Sequence, residues 1–118
     1  MRIKNAIIIL GPGKSGSTLL NHIFSLHPDL FWISTYVNKF PEHPELSILN
    51  NIHRIPMLEK NSRNKDNFPR PAEAFFFWTY HITTFWSDKP ISSEEGARLN
   101  KALSKIRKFQ SGNRLLLK

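Results

Sequence analysis

The spacing of apolar residues changes abruptly near residue 11. Lys4–Leu10 contains the β-branched run Ile7-Ile8-Ile9 with little alternation, the pattern of a strand buried on both faces in a parallel sheet. Gly11-Pro12-Gly13 breaks that run. From Ser17 onward, Leu19, Leu20, Ile23, Phe24 and Leu26 recur at helical spacing and predict a helix with one apolar side. Pro28 ends it at His27, because proline disfavours helical geometry in the residue before it.

Leu30–Ser34, LFWIS, reads as a second short strand. Pro41 and Pro44 bracket a turn, and a helix starting at Pro44 carries Leu46, Leu49, Ile52 and Ile55. Glu59–Arg70 is polar and basic, a surface loop. Pro71 is expected to open a strong helix with Glu73 in its first turn, where a carboxylate suits the helix dipole. Phe75, Trp78, Ile82 and Phe85 form one stripe of it, and Phe76, Phe77, Tyr80 and Trp86 make the rest unusually apolar. Ser92 and Glu95 have capping-box spacing ahead of a further helix with Leu99, Ala102, Leu103 and Ile106 inward and Gly112 as its stop. Arg114–Lys118, RLLLK, reads as another buried parallel strand. Strands separated by helices imply an α/β domain with a parallel sheet. Residues 1–118 are expected to be the first part of a larger single domain, since a domain rarely stops on a strand.

Composition narrows the class. The chain has 118 residues, suited to one domain, and no cysteine, so disulfides and thiolate metal sites are excluded. The apolar run Ala6–Leu10 is too short for a secretory signal and no stretch is long enough to span a bilayer, so the expectation is a soluble, cytoplasmic protein. The formal charge is +8, which favours anionic partners. Lys60, Arg63, Lys65 and Arg70 form one basic cluster, and Lys101, Lys105, Arg107 and Lys108 another. Each is read as a solvated face, with a polyanionic ligand as the sharper alternative.

The chemistry concentrates in Gly11–Leu20, GPGKSGSTLL. A strand, a glycine loop and a helix N-terminus together cradle an anion: unpaired N–H groups point at it, and glycines let the backbone approach closely. Gly11, Gly13 and Gly16 supply that freedom, Ser15, Ser17 and Thr18 add hydroxyls, and Lys14 adds a positive charge. In the triphosphatase loop, G-x-x-x-x-G-K-[ST], lysine follows the second glycine. Here Ser17 stands in that place and the lysine lies inside the loop at Lys14.

IIILGPGKSGSTLLNHIFSLHPDL resembles the 5′-phosphosulfate loop of sulfotransferases that use 3′-phosphoadenosine 5′-phosphosulfate (PAPS). Lys14-Ser15-Gly16-Ser17-Thr18 matches the family pattern, with Ser17 a permitted variant, and His27-Pro28 falls where expected. RPAEAFFFW at Arg70–Trp78 and the final GNRLLLK also look like segments of bacterial members. The resemblance implies a P-loop-like three-layer αβα fold, here incomplete, and sulfuryl transfer to a hydroxyl or amine. PAPS would be the co-substrate, with no metal and no nucleic-acid partner. It implies that Lys14 stabilises charge on the leaving phosphate. The stretch Gly13–Leu19 would hold the 5′-phosphate through Gly13, Ser15, Gly16, Ser17, Thr18 and Leu19. The 3′-phosphate ligands would lie beyond Lys118.

Transfer needs a general base. Relatives often place a glutamate a few residues after His-Pro, but here that stretch reads Trp32-Ile33-Ser34-Thr35, and after Asp29 no carboxylate occurs before Glu42. Glu73 is the first candidate, at the start of an apolar helix where burial would make it more basic. His43 and His81 follow. The aromatic stretch Phe75–Trp86 is either core, the wall of an acceptor pocket, or an apolar surface open to self-association. Two other functions stay open: a P-loop nucleotide kinase or triphosphatase, and a non-catalytic interaction domain.

Overall fold

The structure is a computed structural model and describes residues 3, 5–11, 16–53 and 70–118. It is mixed α/β, built on a small open parallel sheet. The strands are β1 (Ile7–Ile8), β2 (Leu30–Trp32) and β3 (Arg114–Leu117), in the order β1-β3-β2. Ile7 pairs with Leu116 and Phe31 with Leu115, all in parallel register. The helices are α1 (Ser17–Ser25), α2 (Thr35–Lys39), α3 (Asn50–His53), α4 (Phe75–His81) and α5 (Ser93–Gln110), with a 3-10 helix at Pro44–Leu49.

Strand alternation divides the core in two. Phe31, Ile33 and Leu115 face one side, where Ala102, Leu103 and Ile106 of α5, Phe77 of α4 and Val37 of α2 cover them. Leu30, Trp32 and Leu116 face the other side with Ile9. There the Trp32 indole N–H donates to the Ser25 carbonyl at 3.1 Å, which fixes α1 over that face. The sheet therefore lies between α1 and the other helices.

The outer edge of β2 is closed by side chains. Buried Gln110 accepts from the Trp32 backbone N–H at 2.9 Å through Oε1. Asn50 Nδ2 donates to the same Oε1 at 3.0 Å and to the Trp32 carbonyl at 3.2 Å. An exposed edge is a template for unwanted pairing, and these amides occupy it. Beyond β2, Ser34 makes an antiparallel bridge to Pro71.

Several sequence expectations need correction. β1 spans only Ile7–Ile8 and is not buried on both faces, since Ile8 is 59% exposed. It lies at the end of the strand order, with no further strand beside it among the described residues. The helix expected from Pro71 starts only at Phe75, because Pro71 is held in the bridge to Ser34 and Ala74 takes a left-handed conformation, φ 66°. It ends at His81, so Ile82 and Phe85 lie in the turns that follow. The segment from Pro44 begins as a 3-10 helix and becomes α-helical at Asn50. Ile55 and all of Glu59–Arg70 except Arg70 lie outside the described residues. The capping box at Ser92 is present, with its hydroxyl accepting from the Glu95 N–H at 3.2 Å. Gly112 does not terminate α5, which is capped by Ser111. A Cβ at Gly112 would stand 2.9 Å from the Leu30 carbonyl carbon, so glycine there lets the chain run against β2.

The largest difference concerns α1. The helix forms, but its apolar residues face outward: Leu19 is 64% exposed and Ile23 52%. Its buried residues are Asn21 and Ser25. Trp32 already fills the space beneath this helix, and only small polar side chains fit between the two backbones.

Candidate functional site

Parallel strands bring their carboxyl ends together, and open α/β sheets bind ligands at that end. Here β1 leads through the glycine loop into α1, and β3 ends beside it at Lys118. Of the residues assigned to the loop, Gly13, Lys14 and Ser15 lie outside the described residues. Gly16 caps α1 in a left-handed conformation, φ 83°, which L side chains rarely adopt. Gly16 has no side chain to cap this helix start, and among the described residues no hydrogen bond is made by the backbone N–H groups of Ser17 and Thr18. Thr18 and Leu19 are exposed and Ser17 is half-buried.

Lys118 completes the site. Its ammonium donates to the Thr18 hydroxyl and pairs with the Glu73 carboxylate at 3.0 Å. The lysine side chain is only 15% exposed, so its charge is held in place at the helix start. In the sequence Lys118 reads only as the end of a buried strand. The available signal was its position: a lysine directly after a buried parallel strand must emerge at the same sheet end as the glycine loop.

Glu73 is brought to this place, but not as expected. It precedes α4 instead of occupying its first turn, and it is half exposed, with 50% of its side chain accessible. The expected burial is absent because the left-handed Ala74 turns the chain outward before the helix begins. A cleft of about 290 Å³ lies beside it, walled by Ile9, Leu10, Phe75, Trp78 and Phe85, with Glu73 and Lys118 at its edge. The aromatic stretch therefore serves two purposes. Phe77 is wholly buried in the core, whereas Phe75 and Trp78 wall the cleft. The histidines weighed as bases lie elsewhere: His43 bonds Glu45 at 2.7 Å, and His81 lines a different cleft.

The start of α1 brings together the Ser17 and Thr18 hydroxyls, the Lys118 ammonium and a glycine-permitted turn, the kinds of group that can receive an anion at a helix N-terminus. No protein-family model, curated protein or solved structure matches the chain. Among the described residues, no helix is long and apolar enough to cross a membrane.

Proposed function

We propose that the chain carries the donor site of a PAPS-dependent sulfotransferase within a P-loop-like three-layer fold, moving a sulfuryl group to a hydroxyl or amine acceptor. The observation that carries this reading is the Lys118 ammonium seated on the Thr18 hydroxyl, at the carboxyl ends of β1 and β3. Bound there, PAPS supplies an activated sulfuryl group on a phosphate leaving group. The N–H groups of Ser17 and Thr18 hold phosphate oxygens. Lys118, with Lys14 from the loop, provides positive charge where negative charge grows on the leaving phosphate. Removing one such contact typically slows transfer by about 10²–10³. The apolar walls at Leu10, Phe75 and Trp78 exclude water from an acceptor, and Glu73, the one carboxylate among the described residues that line this cleft, takes its proton. The carboxylate's pairing with Lys118 also gives it a second role, as the counter-ion of an empty donor site.

Calorimetric titration with 3′-phosphoadenosine 5′-phosphate tests this. Binding without magnesium, weakened at least tenfold by Lys14→Ala, is expected. Tighter, magnesium-dependent binding of ATP would instead support the kinase or triphosphatase reading, against which Ser17 speaks. A specific observation also favours an interaction domain: Leu19, Leu20, Ile23 and Phe24 are all exposed on α1. Sedimentation showing a single monomeric species at high concentration would remove that reading.

A further inference from the structure

A second cleft, away from Lys118 and Thr18, has a distinct chemistry. Its volume is about 440 Å³, within the range of small-molecule sites. Pro41 and Pro44 form one side, Tyr80 and His81 of α4 another, and α5 the third. From α5 come Arg98, Lys101 and Lys105, spaced so that one helix face presents all three over about 10 Å. These cations are exposed, and none forms an ion pair with a described residue. Glu42 is the single carboxylate lining the cleft. Burial pushes the pKa of His81 below the usual histidine value, and the nearby Arg98 charge acts in the same direction. Lys101 and Lys105 also line an adjoining groove of about 550 Å³ that continues past Lys108 toward Asn113.

We propose that this cleft seats the phosphate or sulfate group of an anionic ligand, with further charges of the same ligand lying along α5 toward Lys108. Like charges on one helix face repel one another; Glu95 near Arg98 and Glu45 near Lys105 offset part of that repulsion, and a bound anion relieves the rest. Tyr80 and Ala102 give the cleft an apolar side, so one end of the ligand is charged and the rest rests on carbon. The site is independent of the donor loop and stands whether or not that loop binds PAPS.

The test is amide NMR of the full chain, titrated with inorganic phosphate and then tripolyphosphate, with ionic strength held constant by chloride. Saturable shifts are expected at Tyr80, His81 and Ala102. Arg98→Ala and Lys101→Ala should each weaken binding about tenfold, since a hydrogen bond to a charged group is lost. Glu42→Gln should tighten it two- to fivefold, and tripolyphosphate should bind at least tenfold more tightly than phosphate. Shifts confined to residues 16–20, shifts that chloride reproduces, or insensitivity to Arg98→Ala and Lys101→Ala would overturn the seat. Equal affinity for the two probes would overturn its extension along α5.

Discussion

The pair Lys118–Glu73 decides between two roles for Glu73. Two unit charges 3.0 Å apart attract by about 1.4 kcal/mol at the dielectric of water, and by several times that at a protein-like value. Glu73 is half exposed, so the lower end applies, and measured exposed pairs give roughly 0–1 kcal/mol. Glu73→Gln frees Lys118 for an incoming phosphate, and should tighten 3′-phosphoadenosine 5′-phosphate by about two- to fivefold. Lys118→Met removes a charge-assisted hydrogen bond worth about 1.5–3 kcal/mol, and should weaken binding by about 10- to 150-fold. In the double variant the gain from Glu73→Gln should vanish, because no ammonium remains to be released. Isothermal titration across the four proteins reads all three numbers, with circular dichroism confirming the fold. The gain should shrink as salt is raised, since exposed charges are screened. If Glu73→Gln weakens binding, or keeps its gain in the Lys118→Met background, the two residues are not coupled as the geometry states. A base role is read separately: turnover of the Glu73→Gln variant should fall while its donor affinity rises.

Three further substitutions test the scaffold. Gln110→Leu leaves the Trp32 N–H without its acceptor in a buried setting, so it should cost about 1–3 kcal/mol in urea unfolding. Gly112→Ala places a methyl group 2.9 Å from β2 backbone and should cost about 1–3 kcal/mol, with the loss appearing as a lower urea midpoint at unchanged slope. Glu95 accepts from both the N–H and the hydroxyl of Thr83, and these bonds hold its pKa below the ordinary 4.5. A depressed carboxyl stabilises the fold fully above the unfolded pKa, begins to lose that contribution as pH falls below it, and has lost it once pH falls through the folded pKa. Between pH 7 and pH 4 the urea midpoint should therefore fall less in Glu95→Gln than in the parent protein.

The parallel sheet was legible because its strands announce themselves. Leu30–Trp32 and Leu115–Leu116 are buried, as continuous apolar runs should be. The helix α5 was legible from Ser92 and from Ala102, Leu103 and Ile106, all of them buried. The start of α4 was not. Proline at 71 is compatible with a helix start, but it is equally compatible with an extended bridge, and the long-range partner Ser34 decides between them. Edge closure by Gln110 and Asn50 was likewise illegible, because it joins residues 60 positions apart through buried amides.

The candidate site was half legible for the same reason. A glycine loop is a local object, and the place of its lysine, at 14 with Ser17 after the second glycine, separates it from the triphosphatase pattern. The ammonium on Thr18 comes from a lysine 100 residues away, delivered by the register of β3 between its two neighbours. That register is what makes the site, since β3 pairs with both β1 and β2 and so carries Lys118 to the start of α1. The outward face of α1 follows from the same packing. Trp32 must reach the Ser25 carbonyl, which demands small residues at Asn21 and Ser25 and turns Leu19 and Ile23 away from the sheet. An amphipathic pattern gives the angle of a helix's apolar stripe. The bulk already standing on the strand beneath determines which face is turned toward it.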